Sequence, residues 1–163
     1  MRTENPTTAT TADLALDMQL CFALYSAQLA MGKVYRRYLV DLGLTYPQYL
    51  VMLVLWETDG LSVTALGDRL YLDSATLTPL LKRLQALGLL QRQRADRDQR
   101  QVRVTLTQSG HALQVRARRI PQGVMCATGC APTQAQVLKA ELEELRAHLL
   151  GTLDSSHHQA VRA

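Results

Sequence analysis

The sequence predicts a mainly helical fold with a small β-wing, in which two short helices and a strand pair sit between long N- and C-terminal helices. Three observations predict it. Leu and Ala dominate while aromatics are only 5% of the 163 residues, which favours helices over an all-β fold. Apolar residues recur at helical spacing along most of the chain. The period switches to alternation only between residues 89 and 106, just after two helical segments separated by a three-residue break.

Each element follows from local signals. Over 14–42 the apolar residues Leu14, Met18, Cys21, Leu24, Met31, Tyr35, Tyr38 and Leu42 recur about every 3.5 positions, which predicts one long helix with a narrow seam, stopped near Gly43. Residues 47–58 form a second helix, apolar nearly all round and therefore buried, with Pro47 at its start. Ser62 caps a short helix to Leu70. After the break at Tyr71-Leu72-Asp73, a further helix carries Leu77, Leu80, Leu81, Leu84 and Leu87 on one face and ends at Gly88. Pro79 falls inside it: either Asp73 caps a helix that Pro79 bends, or Thr78 caps a shorter one. The leucine spacing includes Leu77 and favours the longer helix. Two short helices across a tight turn make a helix-turn-helix. Strands over 89–94 and 101–106 follow, the second alternating Val102, Val104 and Leu106, with 95–100 as the tip, so the fold is a winged helix-turn-helix. Residues 108–120 return to helix, interrupted by Pro121 and Gly123. The last helix runs over 133–150 from the cap Thr133, with Val137, Leu138, Leu142, Leu145 and Leu149 as its apolar stripe.

This divides the chain into a disordered polar tail (1–13), a dimerisation helix carrying Cys21 (14–44), the winged helix-turn-helix (45–106), C-terminal dimerisation helices (107–152) and a frayed tail (153–163). The N-terminus has no apolar stretch of the signal-peptide kind. The longest unbroken apolar run, Tyr49 to Trp56, is eight residues, too short to span a bilayer. No membrane partner is expected, and the chain is placed in the cytoplasm, where its three cysteines stay reduced.

The net charge of +4 is unevenly spread: ten Lys or Arg face two acids between Lys82 and Arg119, and the rest of the chain is acidic. A basic segment on an acidic body points to a polyanion footprint. The wing region holds Arg92, Arg94, Arg97, Arg100 and Arg103 against Asp96 and Asp98. Arginine suits phosphate forks and the narrow minor groove, so the strand arginines are assigned to phosphates and the tip to the groove. Asp98 and Arg100 read either as a surface ion pair or as an acid orienting the inserted arginine. Ser74, Thr76, Thr78, Lys82 and Arg83 lie off the leucine face of the helix before the wing. They are expected to meet phosphates or base edges of double-stranded DNA.

Cys21 alone reads as a small apolar residue on a helix face. Tyr35 and Tyr46 alter the weighing, because phenolic hydrogen bonds favour a thiolate, the species that peroxides oxidise. Within one helix, the fourteen residues from Cys21 to Tyr35 span about 21 Å. Fourteen is also two heptads, so two copies packed antiparallel about a two-fold near Gln28 would bring each Cys21 against the partner's Tyr35. A zinc site from Cys126-x3-Cys130 with Cys21 lacks a nearby histidine and the two-residue knuckle spacing. No metal or cofactor is expected.

The order of elements, with "DRDQRQVRVTLT" as the wing, resembles the MarR family of dimeric transcriptional regulators. In that family the Asp-x-Arg of the wing, here Asp98-Gln99-Arg100, keeps the spacing found here to Leu106-Thr107. "LDSATLTPLLKRLQALGLL" is similar to one branch, the organic hydroperoxide resistance repressors, and the resemblance covers residues 14–150. It implies that Cys21 is a peroxidatic thiol held by Tyr35 and Tyr46 of the other subunit. It also implies that Cys126 is the resolving cysteine of an intersubunit disulfide. Cys130 is either a substitute resolver or a bystander.

The reading is thus a homodimeric repressor that leaves its palindromic operator when an organic hydroperoxide oxidises Cys21, with Pro121 and Gly123 as points of give. Its rival is a MarR-type regulator induced by a small aromatic ligand, with Cys21 lining a pocket. A thiol peroxidase would require a strand–helix alternation that is absent, so no enzyme is expected. A DNA binder that senses nothing is the remaining option.

Overall fold

The structure, a computed structural model, describes residues 14–94 and 102–160, without the side chains of Arg94 and 154–160. It contains α1 (Leu20–Leu39), α2 (Tyr46–Glu57), β1 (Leu61–Ser62), α3 (Val63–Leu70), α4 (Ser74–Ala86), β2 (Leu90–Arg94), β3 (Val102–Leu106), α5 (Gln108–Ala117), α6 (Ile120–Thr128) and α7 (Pro132–Ala160). Two compact units divide inside α6, the first ending at Val124 and the second beginning at Met125.

The first unit is built around the helix-turn-helix. Leu39, Tyr49, Met52, Leu55, Leu66, Leu77, Leu81, Leu84, Leu90 and Val104 are all but fully buried in its core. The uniform apolarity of α2 has its reason here, since Val51, Met52, Val54 and Leu55 are buried on successive sides. Its first turn is closed by Gln48, whose Oε1 accepts the Thr45 N–H at 2.8 Å, a capping box. Ser62 Oγ accepts the Ala65 N–H at the head of α3. Asp73 Oδ1 accepts the Thr76 N–H at 2.7 Å at the head of α4, so the longer of the two helices allowed by Pro79 is the one that forms.

The wing is an antiparallel hairpin in which Leu90 pairs with Leu106 and Arg94 with Val102. A third strand, β1, pairs Leu61 with Val104 and gives the sheet order β1-β3-β2. Two residues carry no alternation signal, which is why the sequence predicts only two strands. Asp59 braces this sheet: its Oδ1 accepts the N–H groups of Gly60 and Leu106. Thr107 fixes the exit of β3, accepting the Gly110 N–H and donating to the Gly88 carbonyl at 2.6 Å. Gly110 must be glycine, because a Cβ there would stand 2.1 Å from the Leu89 carbonyl oxygen. Trp56 donates its indole N–H to the Gly110 carbonyl at 2.9 Å and ties α2 to α5.

Four expectations about helix ends are corrected. The helix expected over 14–42 is broken: Leu16–Met18 is a 3-10 turn, Gln19 is extended, and α1 starts at Leu20. Leu14, Leu16, Met18 and Leu20 are exposed within the chain, so their periodicity has no burial to sustain it. The last turn, Val40–Leu42, is again 3-10 and closes on Gly43 at φ 66°. The break between α5 and α6 falls before Ile120, not at Pro121. Proline is accepted in a first turn, where its missing N–H has no partner to lose. Gly123 is not a point of give either. The Tyr38 ring occupies the place where its Cβ would be, and the Tyr38 hydroxyl donates to its carbonyl at 3.0 Å.

In the second unit, α7 begins at Pro132, one residue before the expected cap, and continues past residue 153 to Ala160. No proline follows residue 150, and a single Gly151 does not stop a helix. Val137, Leu138, Leu142 and Leu149 are exposed along it. Among the described residues, no single helix is long and apolar enough to cross a membrane.

Candidate functional site

On α4 the chain separates core from surface cleanly. Leu77, Leu81 and Leu84 are fully buried, while Ser74, Thr76, Lys82 and Arg83 are exposed. Thr78 is half-buried, and its hydroxyl donates to the Ser74 carbonyl at 2.6 Å. The Asp73 carboxyl is held below the usual carboxylate range, first by the Thr76 backbone N–H and then by the Thr76 side chain. It is ionised at neutral pH at the positive end of α4, where a negative charge is favoured.

The wing arginines split into two groups. Arg92 donates its Nε–H to Gln85 at 2.7 Å, and Arg103 donates from Nη1 to the Gly60 carbonyl at 2.8 Å. Both anchor the hairpin to the body of the unit, a role the sequence reading, which gave them to phosphates, did not foresee. Arg97, Asp98 and Arg100 lie outside the described residues, as does the side chain of Arg94.

The other candidate centre is built on α1 and α2. Cys21 is the second residue of α1 and is exposed, so within its own chain it is no core residue. Tyr35, near the other end of the same helix, stacks on Tyr46 with ring centroids 4.3 Å apart and planes tilted by 35°. Tyr49 lies 6.0 Å from Tyr35 and meets Trp56 edge-on at 6.2 Å. Burial, then the neighbouring Tyr46 and Tyr49, push the Tyr35 phenol up to about 12. Burial raises Tyr46 and Tyr49 as well. All three are therefore neutral phenols with a proton to donate.

The sequence singled out Tyr35 and Tyr46 but missed Tyr49 and Trp56, which back them. Their spacing of seven places them on one face of α2, a signal hidden by that helix being apolar on every side. The continuity of α1 keeps Cys21 and Tyr35 apart within a chain, at about 1.5 Å per residue.

Cys126 lies in the last turn of α6 and is exposed, while Cys130 is half-buried just beyond. Thr128 organises the chain between them. Its hydroxyl donates to the Met125 carbonyl at 2.7 Å and accepts the Cys130 N–H at 3.2 Å. Gly129 reverses the backbone at φ 68°. A cleft of about 260 Å³ in the first unit is lined by Tyr49, Leu53, Trp56, Gln114, Arg118 and Pro121, among others.

A two-helix reader with a basic hairpin beside it, carried on helices with exposed apolar faces, defines a winged-helix transcriptional regulator. The family described as transcriptional regulator SarA/Rot matches residues 33–114. The HTH-type transcriptional regulator TtmR of Methylorubrum extorquens (strain PA1) is 46% identical over 149 residues, covering 91% of this chain and 76% of that one. The organic hydroperoxide resistance transcriptional regulator of Bacillus subtilis (strain 168) is 39% identical over 146 residues, 90% of this chain and 95% of that one. AbfR of Staphylococcus epidermidis is similar in two solved states. Its reduced form bound to DNA has a TM-score of 0.68 at 35% identity, covering 85% of this chain and 98% of that one. Its disulfide form has a TM-score of 0.61 at 36% identity, covering 86% and 96%. The chain belongs to the MarR family of transcriptional regulators, and within it resembles the organic hydroperoxide resistance branch.

Proposed function

We propose that the protein is a redox-sensing repressor whose reduced homodimer binds operator DNA and leaves it when an organic hydroperoxide oxidises Cys21. The observation that carries this reading is the pairing of an exposed Cys21 with a rigid, neutral Tyr35–Tyr46 stack on the same helical surface, out of reach of its own chain's thiol. Two copies of α1 packed antiparallel give each thiol the partner's two phenols as donors. Because Tyr35 and Tyr46 stack, they arrive as a unit. The exposed apolar faces of α1 and α7 supply the interface between the two copies.

The chemistry balances. The Cys21 thiolate attacks the distal peroxide oxygen, the O–O bond breaks, and the alcohol leaves with a proton, giving sulfenic acid. The thiol of the partner's Cys126 then attacks that sulfur, water leaves, and an intersubunit disulfide forms. A disulfide requires Cα atoms within about 7 Å. Forming it across the dimer sets the position of α6, and through it that of the DNA-reading unit. On DNA, Ser74, Thr76, Thr78, Lys82 and Arg83 of α4 face the major groove. Arg94, Arg97 and Arg100, with Asp98 orienting, serve the wing in the flanking minor groove. The named states of AbfR, reduced on DNA and disulfide-linked, support this order of events, as does the relative named for organic hydroperoxide resistance.

A regulator induced by a small aromatic ligand is the second reading, favoured by the cleft between Tyr49, Trp56 and Arg118. Its volume lies just under the usual range for small-molecule sites, about 300–1,000 Å³. One experiment separates the two readings: non-reducing electrophoresis with intact mass, before and after one equivalent of an alkyl hydroperoxide, on wild type, Cys21→Ser and Cys126→Ser. The redox reading expects a covalent dimer only when both thiols are present. A Cys21→Ser protein that reacts and is induced like wild type ends it.

A further inference from the structure

Among the described residues five have left-handed backbone, and at four of them the chain uses glycine: Gly43, Gly60, Gly88 and Gly129. The fifth is Tyr71, at φ 55° and ψ 39°. Glycine adopts this conformation without strain, whereas a residue with a Cβ does not. Tyr71 terminates α3, with its N–H turned back on the carbonyls of Gly67 and Asp68. The turn is tight, since a Cβ on Gly67 would stand 2.7 Å from the Leu72 carbonyl oxygen.

Burial is the ordinary reason to keep a large side chain in such a place, and it does not apply here. Tyr71 is 60% exposed, whereas Leu66 and Leu77 on either side of the turn are fully buried. Neither backbone nor core selects tyrosine at this position. Strain that persists without a folding benefit marks a functional site.

The position says which one. Tyr71 stands two residues before Asp73, the cap of α4, and shares the exposed entry of that helix with Ser74 and Thr76. When the N-terminal end of a reading helix enters the major groove, the turn that precedes it passes the sugar–phosphate ridge.

We propose that Tyr71 is a DNA-backbone contact whose hydroxyl donates to a phosphate oxygen and fixes the depth at which α4 enters the groove. The inference rests on the DNA-binding reading above and extends the interface to the turn, which neither the charge pattern nor the polar face of α4 indicates. The ligand is the phosphodiester backbone, and the contact carries no base preference. Because tyrosine is neutral, it neutralises no phosphate charge and releases no counterion.

The test compares reduced wild type, Tyr71→Phe and Tyr71→Gly. Each is titrated against a short duplex selected by the wild-type protein from a randomised pool and against a scrambled duplex of equal length, at several salt concentrations. Both variants are expected to bind about tenfold more weakly, the loss of one hydrogen bond to a charged acceptor. The loss should be equal on both duplexes, with the slope of affinity against salt unchanged. Tyr71→Gly should melt at or above the wild-type temperature. Wild-type affinity in both variants overturns the contact, and so does wild-type affinity in Tyr71→Phe with weakening in Tyr71→Gly alone. A loss confined to the selected duplex overturns its assignment to phosphate. If the wild-type protein binds neither duplex, the DNA-binding reading itself fails, which is visible before any variant is compared.

Discussion

Two leucine-rich stretches of this chain read alike and fold differently. On α4, Leu77, Leu81 and Leu84 are completely buried, but on α7, Leu138, Leu142 and Leu149 stand open. The spacing on each is helical and the residues are the same. What differs is where the partner surface resides. α4 packs against α2, α3 and the wing of its own chain, and the apolar face of α7 waits for a second copy. An apolar stripe states that something will cover it and leaves open whose residues do so.

Substitutions can break or sharpen that contrast. The largest effect is expected in the core. Leu81→Ala leaves a cavity in the first unit and should lower unfolding stability by about 3 kcal/mol, with the same loss at every protein concentration in urea titrations. On α7, the pair Leu142→Ala and Leu149→Ala should weaken self-association by about tenfold or more, read as dimer dissociation in sedimentation. Its melting temperature should fall as the protein is diluted. A concentration-independent loss would place the cover of α7 within its own chain.

A smaller effect is expected where β3 passes into α5. Thr107→Ala removes a cap and the bond to the Gly88 carbonyl, and should reduce stability by about 1 kcal/mol, with no change in self-association.

The smallest effect concerns the phenol stack. The Tyr35 pKa is raised in the folded state from 10.0 to about 12. The folded protein therefore holds a proton that the unfolded chain releases between those values. Stability should be level below pH 10 and decline as pH rises towards 12, because the unfolded state binds fewer protons there. Urea midpoints across that range should fall less steeply in Tyr35→Phe. An identical decline in both proteins would assign it to other groups.

Sequence alone reached much of this arrangement, for physical reasons that can be named. The cap at Asp73, the leucine face of α4 and the alternation in β3 are local signals, and each is where it was expected. The break at Gln19 is not local. It depends on the lack of any surface in the same chain to bury Leu14, Leu16 and Met18, and hydrophobic periodicity does not report such a lack. Gly123 read as a hinge because the ring that fills its missing side chain belongs to Tyr38, 85 residues away. Arg92 and Arg103 read as phosphate ligands because charge shows in a sequence, whereas their acceptors, Gln85 and a backbone carbonyl, do not announce themselves. Of the sensing residues, Cys21, Tyr35 and Tyr46 were legible through heptad arithmetic, but the stacking that makes the two phenols one rigid body was not.

Trp56 is the only tryptophan in the chain. It lies edge-on to Tyr49, which in turn lies beside Tyr35. Light absorbed by those phenols passes to the indole, so the emission of one chromophore reports the packing of the whole aromatic row. The protein thus carries its own optical gauge, ending at the phenols assigned to the thiol. Stopped-flow fluorescence can follow what a hydroperoxide does to that row in real time, with no dye attached and no residue changed.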